Sequence, residues 1–419
     1  MARSEGFPNK RERCYHGKPM AQASRTFQVF VKPVGAACNL ACGYCYYLDK
    51  GPAGTDRART GAAAGERRLS VMPDDLLETY IAQHIAASPD EVVRFSWHGG
   101  EPTLAGLDFY RRVVAIQRKF RPAGRVIANG LQTNGTLLGE EWGEFLAAEN
   151  FAVGLSLDGP RELHDAFRRT RQGRPTFEAA VRGWEILRRW GVQADILCVV
   201  GTHNAGSPLE VYRFFKRAGT SFLTFLPLVE SRDGTPRGTS PESVSPEDWG
   251  DFLCAVFDEW AAHDIGMVKI QVVEEAVRTA FGLEHSLCLL RPTCGDIPVL
   301  ERDGSLYPCD HFVNEARRVG NISLVPLVEL LESPALRLFG EIKSSKLPHP
   351  CRECEVLEMC RGECPKNRFI PDPGGGPPLN YLCSGYKKFF LHIRPFIEAV
   401  AAEWGRRNEG SGSPGAGPV

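Results

Sequence analysis

Six short apolar runs alternate with five helix-patterned segments, and that rhythm constrains the fold of this chain more than any other feature. The runs fall at residues 27–31, 92–97, 126–131, 151–157, 194–200 and 222–228. The segments between them, 74–86, 107–120, 140–148, 176–190 and 209–218, repeat apolar residues at helical period, as in Leu76, Leu77, Tyr80, Ile81 and Ile85. Gly191 and Gly219 stand just past two of these, where glycine usually ends a helix. Such alternation predicts an α/β fold: an open or closed barrel of parallel strands with helical crossovers. Functional groups gather at the strands' C-terminal ends in such barrels.

Directly after the first strand comes Cys38-Asn39-Leu40-Ala41-Cys42-Gly43-Tyr44-Cys45. Thiolates prefer soft centres such as iron–sulfur clusters, zinc or copper(I). Three thiolates on a four-iron cube leave one iron open, and an open position separates a reactive centre from a structural one. A zinc half-site, or a redox pair formed by Cys42 and Cys45, has the same spacing.

The chain has 419 residues, more than one core usually organises, so two domains or one elaborated domain are expected. Its formal net charge of -1, without polybasic or polyacidic blocks, argues against nucleic acid or an anionic membrane as partner. No apolar core of signal-peptide length opens the chain and no uncharged stretch would span a bilayer, so a cytoplasmic protein is expected. Fourteen cysteines in that compartment point to metal or catalysis, since cytosolic thiols stay reduced.

A stretch rich in Gly, Pro, Ser and Thr at 231–245 breaks the rhythm, and residues 51–68 read as a loop insertion. The expected division is a disordered arm at 1–25, the barrel at 26–230 and a linker with a helix at 231–285. A cysteine-rich domain at 286–384, a C-terminal helix at 385–404 and a disordered tail at 405–419 complete it. Eight cysteines lie in the fourth segment: Cys288, Cys294, Cys309, Cys351, Cys354, Cys360, Cys364 and Cys383. They suffice for two fully ligated four-iron clusters, though the Cys351/Cys354 pair also fits structural zinc. Cys198 and Cys254 sit in apolar patterns and read as small hydrophobes, while Cys14 has no assigned role.

Three strand ends carry polar motifs: Gly99-Gly100-Glu101-Pro102, Gln132-Thr133-Asn134-Gly135-Thr136 and Ser156-Leu157-Asp158-Gly159. Each alone is a plain turn signal. Asp310 follows Cys309, where an aspartate alone reads as a turn or as support for a ligand.

Taken together, the cysteine triplet and the Gly-Gly-Glu-Pro motif resemble the radical S-adenosylmethionine superfamily, and the later cysteines resemble its SPASM domain. The resemblance implies a partial (β/α)6 barrel followed by a SPASM domain with two auxiliary clusters. Cys38, Cys42 and Cys45 would hold a four-iron cluster whose open iron chelates S-adenosylmethionine. Tyr44, Gly99, Gly100, Glu101, Ser156 and Arg168 would contact that cofactor, Glu101 through its ammonium group. One auxiliary set would be Cys288, Cys294, Cys309 and Cys364, the other Cys351, Cys354, Cys360 and Cys383.

A narrower resemblance, to the anaerobic sulfatase-maturating enzymes, rests on three motifs and runs over most of residues 27–390. The motifs are Cys309-Asp-His-Phe-Val313, Gly320-Asn-Ile322 and Leu226-Pro-Leu-Val-Glu230. It implies oxidation of a sulfatase cysteine or serine to Cα-formylglycine by a 5′-deoxyadenosyl radical. Asp310 would be the base, Tyr47 would lie near the reacting group, and electrons would pass to the auxiliary clusters. His98 occupies a substrate-contact position where family members often carry glutamine. The implied partners are a peptide or protein substrate and a small electron donor such as ferredoxin or flavodoxin. A SPASM maturase that crosslinks a ribosomal peptide, by thioether or carbon–carbon bonds, would use the same clusters.

Overall fold

The computed structural model describes residues 21–48, 50 and 69–411. Cys14, the 51–68 insertion and most of the expected arm and tail lie outside the described residues.

The alternating segment folds as β1 (Val29–Lys32), α1 (Asp74–Ala87), β2 (Val92–Trp97), α2 (Leu107–Phe120), β3 (Val126–Thr133) and α3 (Glu140–Ala148). It continues through β4 (Phe151–Ser156), α4 (Arg161–Phe167), α5 (Phe177–Arg189), β5 (Ala194–Val200), α6 (Pro208–Arg217) and β6 (Phe222–Pro227). All six strands pair in parallel and in chain order. Register places Val31, Trp97, Leu131 and Val153 in one row across four strands, every one of them buried. Trp97 donates its indole N–H to Asn129 at 2.9 Å, and Asn129 and Gln117 exchange amide bonds at 2.9 Å, so this buried polar group is satisfied.

Next come α7 (Pro246–His263), β7 (Lys269–Ile270) and α8 (Gln271–Ala280), and β7 adds a seventh parallel strand beside β6. Ser245 caps α7 by accepting from the Asp248 N–H at 3.0 Å, with Pro246 in the first turn. The sequence reading of 231–285 as a linker and one helix missed β7 and α8.

The cysteine-rich segment forms β8 (Val299–Glu301), β9 (Ser305–Tyr307) and β10 (Gly320–Asn321), then α9 (Leu327–Leu331) and α10 (Pro334–Ser345). Short pieces follow: α11 (His349–Arg352), α12 (Leu357–Cys360), β11 (Arg368–Ile370) and β12 (Leu379–Asn380), before the long α13 (Cys383–Ser411). The strand β8 pairs in parallel with the free edge of β1, and β9 and β10 follow antiparallel, giving one ten-stranded sheet. The two expected domains therefore share a sheet, and Asp310, just past β9, is carried to the end of β1.

Two differences from the expected boundaries have local causes. Ala23 donates its N–H to Ala87 and Ser24 bonds Glu332, so the chain is tied down before residue 26. The C-terminal helix runs through Ser411, past the expected end at 404. Its early turns cross α7 closely because a Cβ on Gly385 would stand 2.1 Å from the Pro246 carbonyl oxygen.

Candidate active site

The loop after β1 carries the first three cysteines, and the Gly99-Gly100-Glu101 turn after β2 lies against it. Gly100 N–H donates to Gly35 O at 2.9 Å and Glu101 N–H to Ala37 O at 2.8 Å. A Cβ on Gly100 would stand 2.1 Å from the Ala37 carbonyl oxygen, so only glycine fits. The paired glycines thus hold the cysteine loop itself.

Glu101 is buried and ties this turn to the end of β3. Its Oε1 accepts from Thr103 N, Thr103 Oγ1 and Thr133 Oγ1 at 2.6–3.0 Å, and its Oε2 from Asn134 N at 2.8 Å. Burial pushes the carboxyl pKa up, and these four bonds oppose it. The Oε2 atom keeps room for a further donor.

Cys38, Cys42 and Cys45 are half-buried and mutually close. Burial pushes the Cys38 thiol up to about 12 and Cys42 to about 11, so a cationic iron centre is what makes thiolates favourable here. Among the described residues, no three His, Cys, Asp or Glu side chains converge as ligands of a single ion. A cluster differs in needing its thiolates spread around a cube.

The ends of β4 and β5 form the far wall. Asp158 is fully buried and pairs with Arg168 through Nε at 2.7 Å and Nη2 at 3.1 Å, and Tyr44 donates its hydroxyl to the same carboxylate at 2.5 Å. Burial alone would raise the Asp158 pKa, but the guanidinium outweighs it and keeps the carboxylate ionised. The expected cofactor contacts Tyr44 and Arg168 are thus joined by Asp158, which the sequence reading did not single out. Ser156 accepts from Gln132 at 3.1 Å across the β3–β4 pair.

Asp310 is buried beside Cys309. Its Oδ2 accepts from the Tyr46 hydroxyl at 2.7 Å and lies 3.9 Å from Lys32 Nζ. Lys32, at the end of β1, is fully buried, donates to His98 Nδ1 at 3.2 Å and sits over the Tyr47 ring. Burial works to raise the Asp310 pKa, but the basic groups around it, Lys32 among them, and the Tyr46 bond hold it well below the usual range. Burial itself pushes His98 down to about 3 and His311 to about 4, so both are neutral near pH 7, and it lowers Lys32 as well, against the pull of Asp310 and Glu301.

The expected Tyr47 is buried and donates to Glu301 of β8, so the tyrosine touching Asp310 is Tyr46. His98 stacks on Phe30 with ring centroids 4.8 Å apart and reaches Asp310 by way of Lys32. A lysine at the C-terminal end of a buried parallel strand was the available signal for Lys32.

The eight later cysteines separate spatially into two sets. Cys288, Cys294, Cys309 and Cys364 are electrostatic neighbours of one another. Cys351, Cys354, Cys360 and Cys383 line one concave site with Glu363 and Asn380. Cys198 is buried in β5 and Cys254 half-buried in α7, away from both sets.

The Radical SAM superfamily is matched over residues 33–215, and the SPASM iron–sulfur cluster-binding domain over residues 295–355. The fold and the three cysteine groups therefore define a radical S-adenosylmethionine oxidoreductase with an auxiliary-cluster domain. A serine-type anaerobic sulfatase-maturating enzyme of Bacteroides thetaiotaomicron is 40% identical over 91% of this chain and 93% of its own. A cysteine-type enzyme of Clostridium perfringens is 34% identical over 89% of this chain and 98% of its own. The solved structure of native anSMEcpe with bound AdoMet and Cp18Cys peptide superposes with a TM-score of 0.79. It is 32% identical, over 90% of this chain and 99% of that one. This chain belongs to the anaerobic sulfatase-maturating enzymes.

Proposed function

We propose that the chain oxidises the Cβ of a serine or cysteine in a sulfatase to the aldehyde of Cα-formylglycine, with Asp310 as the base. The observation that carries the base assignment is the placement of Asp310, buried at the end of β1, hydrogen-bonded by Tyr46 and facing Lys32.

S-adenosylmethionine on a reduced four-iron cluster supplies, when bound, a 5′-deoxyadenosyl radical that takes a hydrogen atom. Cys38, Cys42 and Cys45 hold that cluster. Glu101 would accept from the cofactor ammonium, Gly99 and Gly100 would shape the loop beside it, and Ser156 and Arg168 with Tyr44 would bind it from the β4 side. The Arg168 Nε and Nη2 atoms face Asp158, which fixes the guanidinium plane and leaves Nη1 for the ligand. Asp310 then accepts the substrate's hydroxyl or thiol proton. A carboxylate this acidic is a weak base, so departure of an electron draws the proton transfer forward. Tyr47 and His98 line the substrate side and hold Glu301 and Lys32 in place.

Cys288, Cys294, Cys309 and Cys364 ligate one auxiliary cluster and Cys351, Cys354, Cys360 and Cys383 the other, giving about twelve irons per chain. Thiols kept for clusters fit a reducing cytoplasm, with a small electron-donor protein feeding the first cluster. Among the described residues no helix is long and apolar enough to cross a membrane.

The test is to incubate reduced, reconstituted enzyme and S-adenosylmethionine with paired serine- and cysteine-containing sulfatase peptides, then trap carbonyls and read masses. An aldehyde at the target residue is expected. A thioether or carbon–carbon crosslink would replace this reading with a peptide-crosslinking one.

A further inference from the structure

Lys343 on α10 is fully buried, and among the described residues its ammonium donates only to backbone: Cys288 O at 2.9 Å and Leu289 O at 2.8 Å. Among the described residues no carboxylate lies within ion-pair distance of it. The anionic groups that act on it most strongly are Cys294, Cys364 and Cys288, followed by Glu363. Glu363 is itself occupied by Asn367 and Asn380. The position is built, because α10 packs tightly on the cysteine loop. A Cβ on Gly340 would stand 2.4 Å from Cys294 O, and Cys294 N–H donates to Gly340 O at 3.2 Å. Lys343 lies three residues on from Gly340 and so on the same helix face.

An ammonium excluded from water without a counter-ion is strongly unfavourable. Thiolates around a cubane provide that counter-ion. The thiols that act on Lys343 most strongly, Cys294, Cys364 and Cys288, all belong to one set.

Resting on the ligand sets proposed above, we infer that Lys343 is the fixed counter-charge of the cluster held by Cys288, Cys294, Cys309 and Cys364, making it the more readily reduced of the two auxiliary clusters. Reduction adds one negative charge, and a nearby buried cation favours that state. The electron comes from the substrate, which by then has lost a hydrogen atom to the 5′-deoxyadenosyl radical and a proton to Asp310. The cluster gains that one electron and later passes it on. Lys343 is a tuning residue, since it touches neither substrate nor reacting atoms.

The test uses full-length protein with Cys38→Ala, Cys42→Ala and Cys45→Ala, so that only auxiliary clusters remain, followed by EPR-monitored redox titration. Lys343→Met should shift one of the two transitions downward and leave the other nearly in place. At fixed potential the reduced-to-oxidised ratio of that cluster should fall at least about tenfold, equivalent to 59 mV for one electron. Lys343→Arg should restore the position. Transitions that do not move, that move together, or that respond alike to Met and Arg would overturn the assignment. If Lys343→Met loses about half the auxiliary iron while Lys343→Arg keeps it, the counter-ion role is supported by a second route; loss in both overturns it. A parent protein that binds no auxiliary iron would overturn the underlying ligand sets and this inference with them.

Discussion

Replacing Asp310 by Asn isolates the base from everything around it. The amide has the same size and shape as the carboxylate. Its oxygen can still accept the Tyr46 hydroxyl, now at 2.7 Å from Asp310 Oδ2, so the pocket and the adjoining Cys309 keep their arrangement. What disappears is the capacity to take a proton, together with the charge 3.9 Å from Lys32. A positioned base contributes roughly a hundredfold to ten-thousandfold, or roughly 3–5 kcal/mol of barrier. Hydrogen-atom abstraction precedes that step, so deoxyadenosine continues to form while aldehyde does not. Single-turnover mixtures analysed for both products should show the aldehyde-to-deoxyadenosine ratio falling at least about a hundredfold. A ratio equal to that of the unaltered enzyme would refute the assignment of Asp310.

Gly100→Ala should cost the first cluster, because the added methyl collides with the Ala37 carbonyl; iron analysis should show a loss of about four of twelve irons. Asp158→Ala strands the buried Arg168 guanidinium and should destabilise the protein by about 3–5 kcal/mol in denaturant titrations. Adding Arg168→Met to it should recover part of that loss, since no buried charge is then left unpaired. Burial pushes His84 down to about 3, with Tyr80 at 3.0 Å from its Nδ1. Its folded pKa lies below its unfolded one, so this contribution is complete above the unfolded value near 6.5 and is lost as pH falls toward 3. The loss is about 1.4 kcal/mol per pH unit. A His84→Gln variant should therefore show a flatter stability profile between about pH 6.5 and 5 in urea titrations, and equal slopes would contradict this.

Most of the barrel was legible because its elements announce themselves by period. The reading of 107–120, 140–148 and 194–200 matches the observed bounds, since each is a helix with one apolar face or a strand buried between helices. The strands β8 to β10 were not legible. They are two or three residues long, too short for an alternation to register, and β8 finds its partner far away in sequence at β1. The four-iron triplet stood out through spacing, but the division of eight later cysteines into two sets came with the resemblance. Lys32 and Lys343 escaped notice because lysine is ordinarily a surface residue; Lys32's place at the end of a buried parallel strand was a signal, but Lys343 on α10 had none in its local pattern. Tyr46 and Tyr47 sit in a loop without periodicity, so nothing local says which of the two faces Asp310.

The central claim is that a hydrogen atom leaves the substrate's Cβ for the cofactor-derived radical. A sulfatase peptide carrying deuterium at both Cβ positions of its target residue tests this directly. Deuterium is expected in the 5′-deoxyadenosine, with one deuterium retained on the aldehyde carbon. Aldehyde formed with unlabelled deoxyadenosine would contradict it.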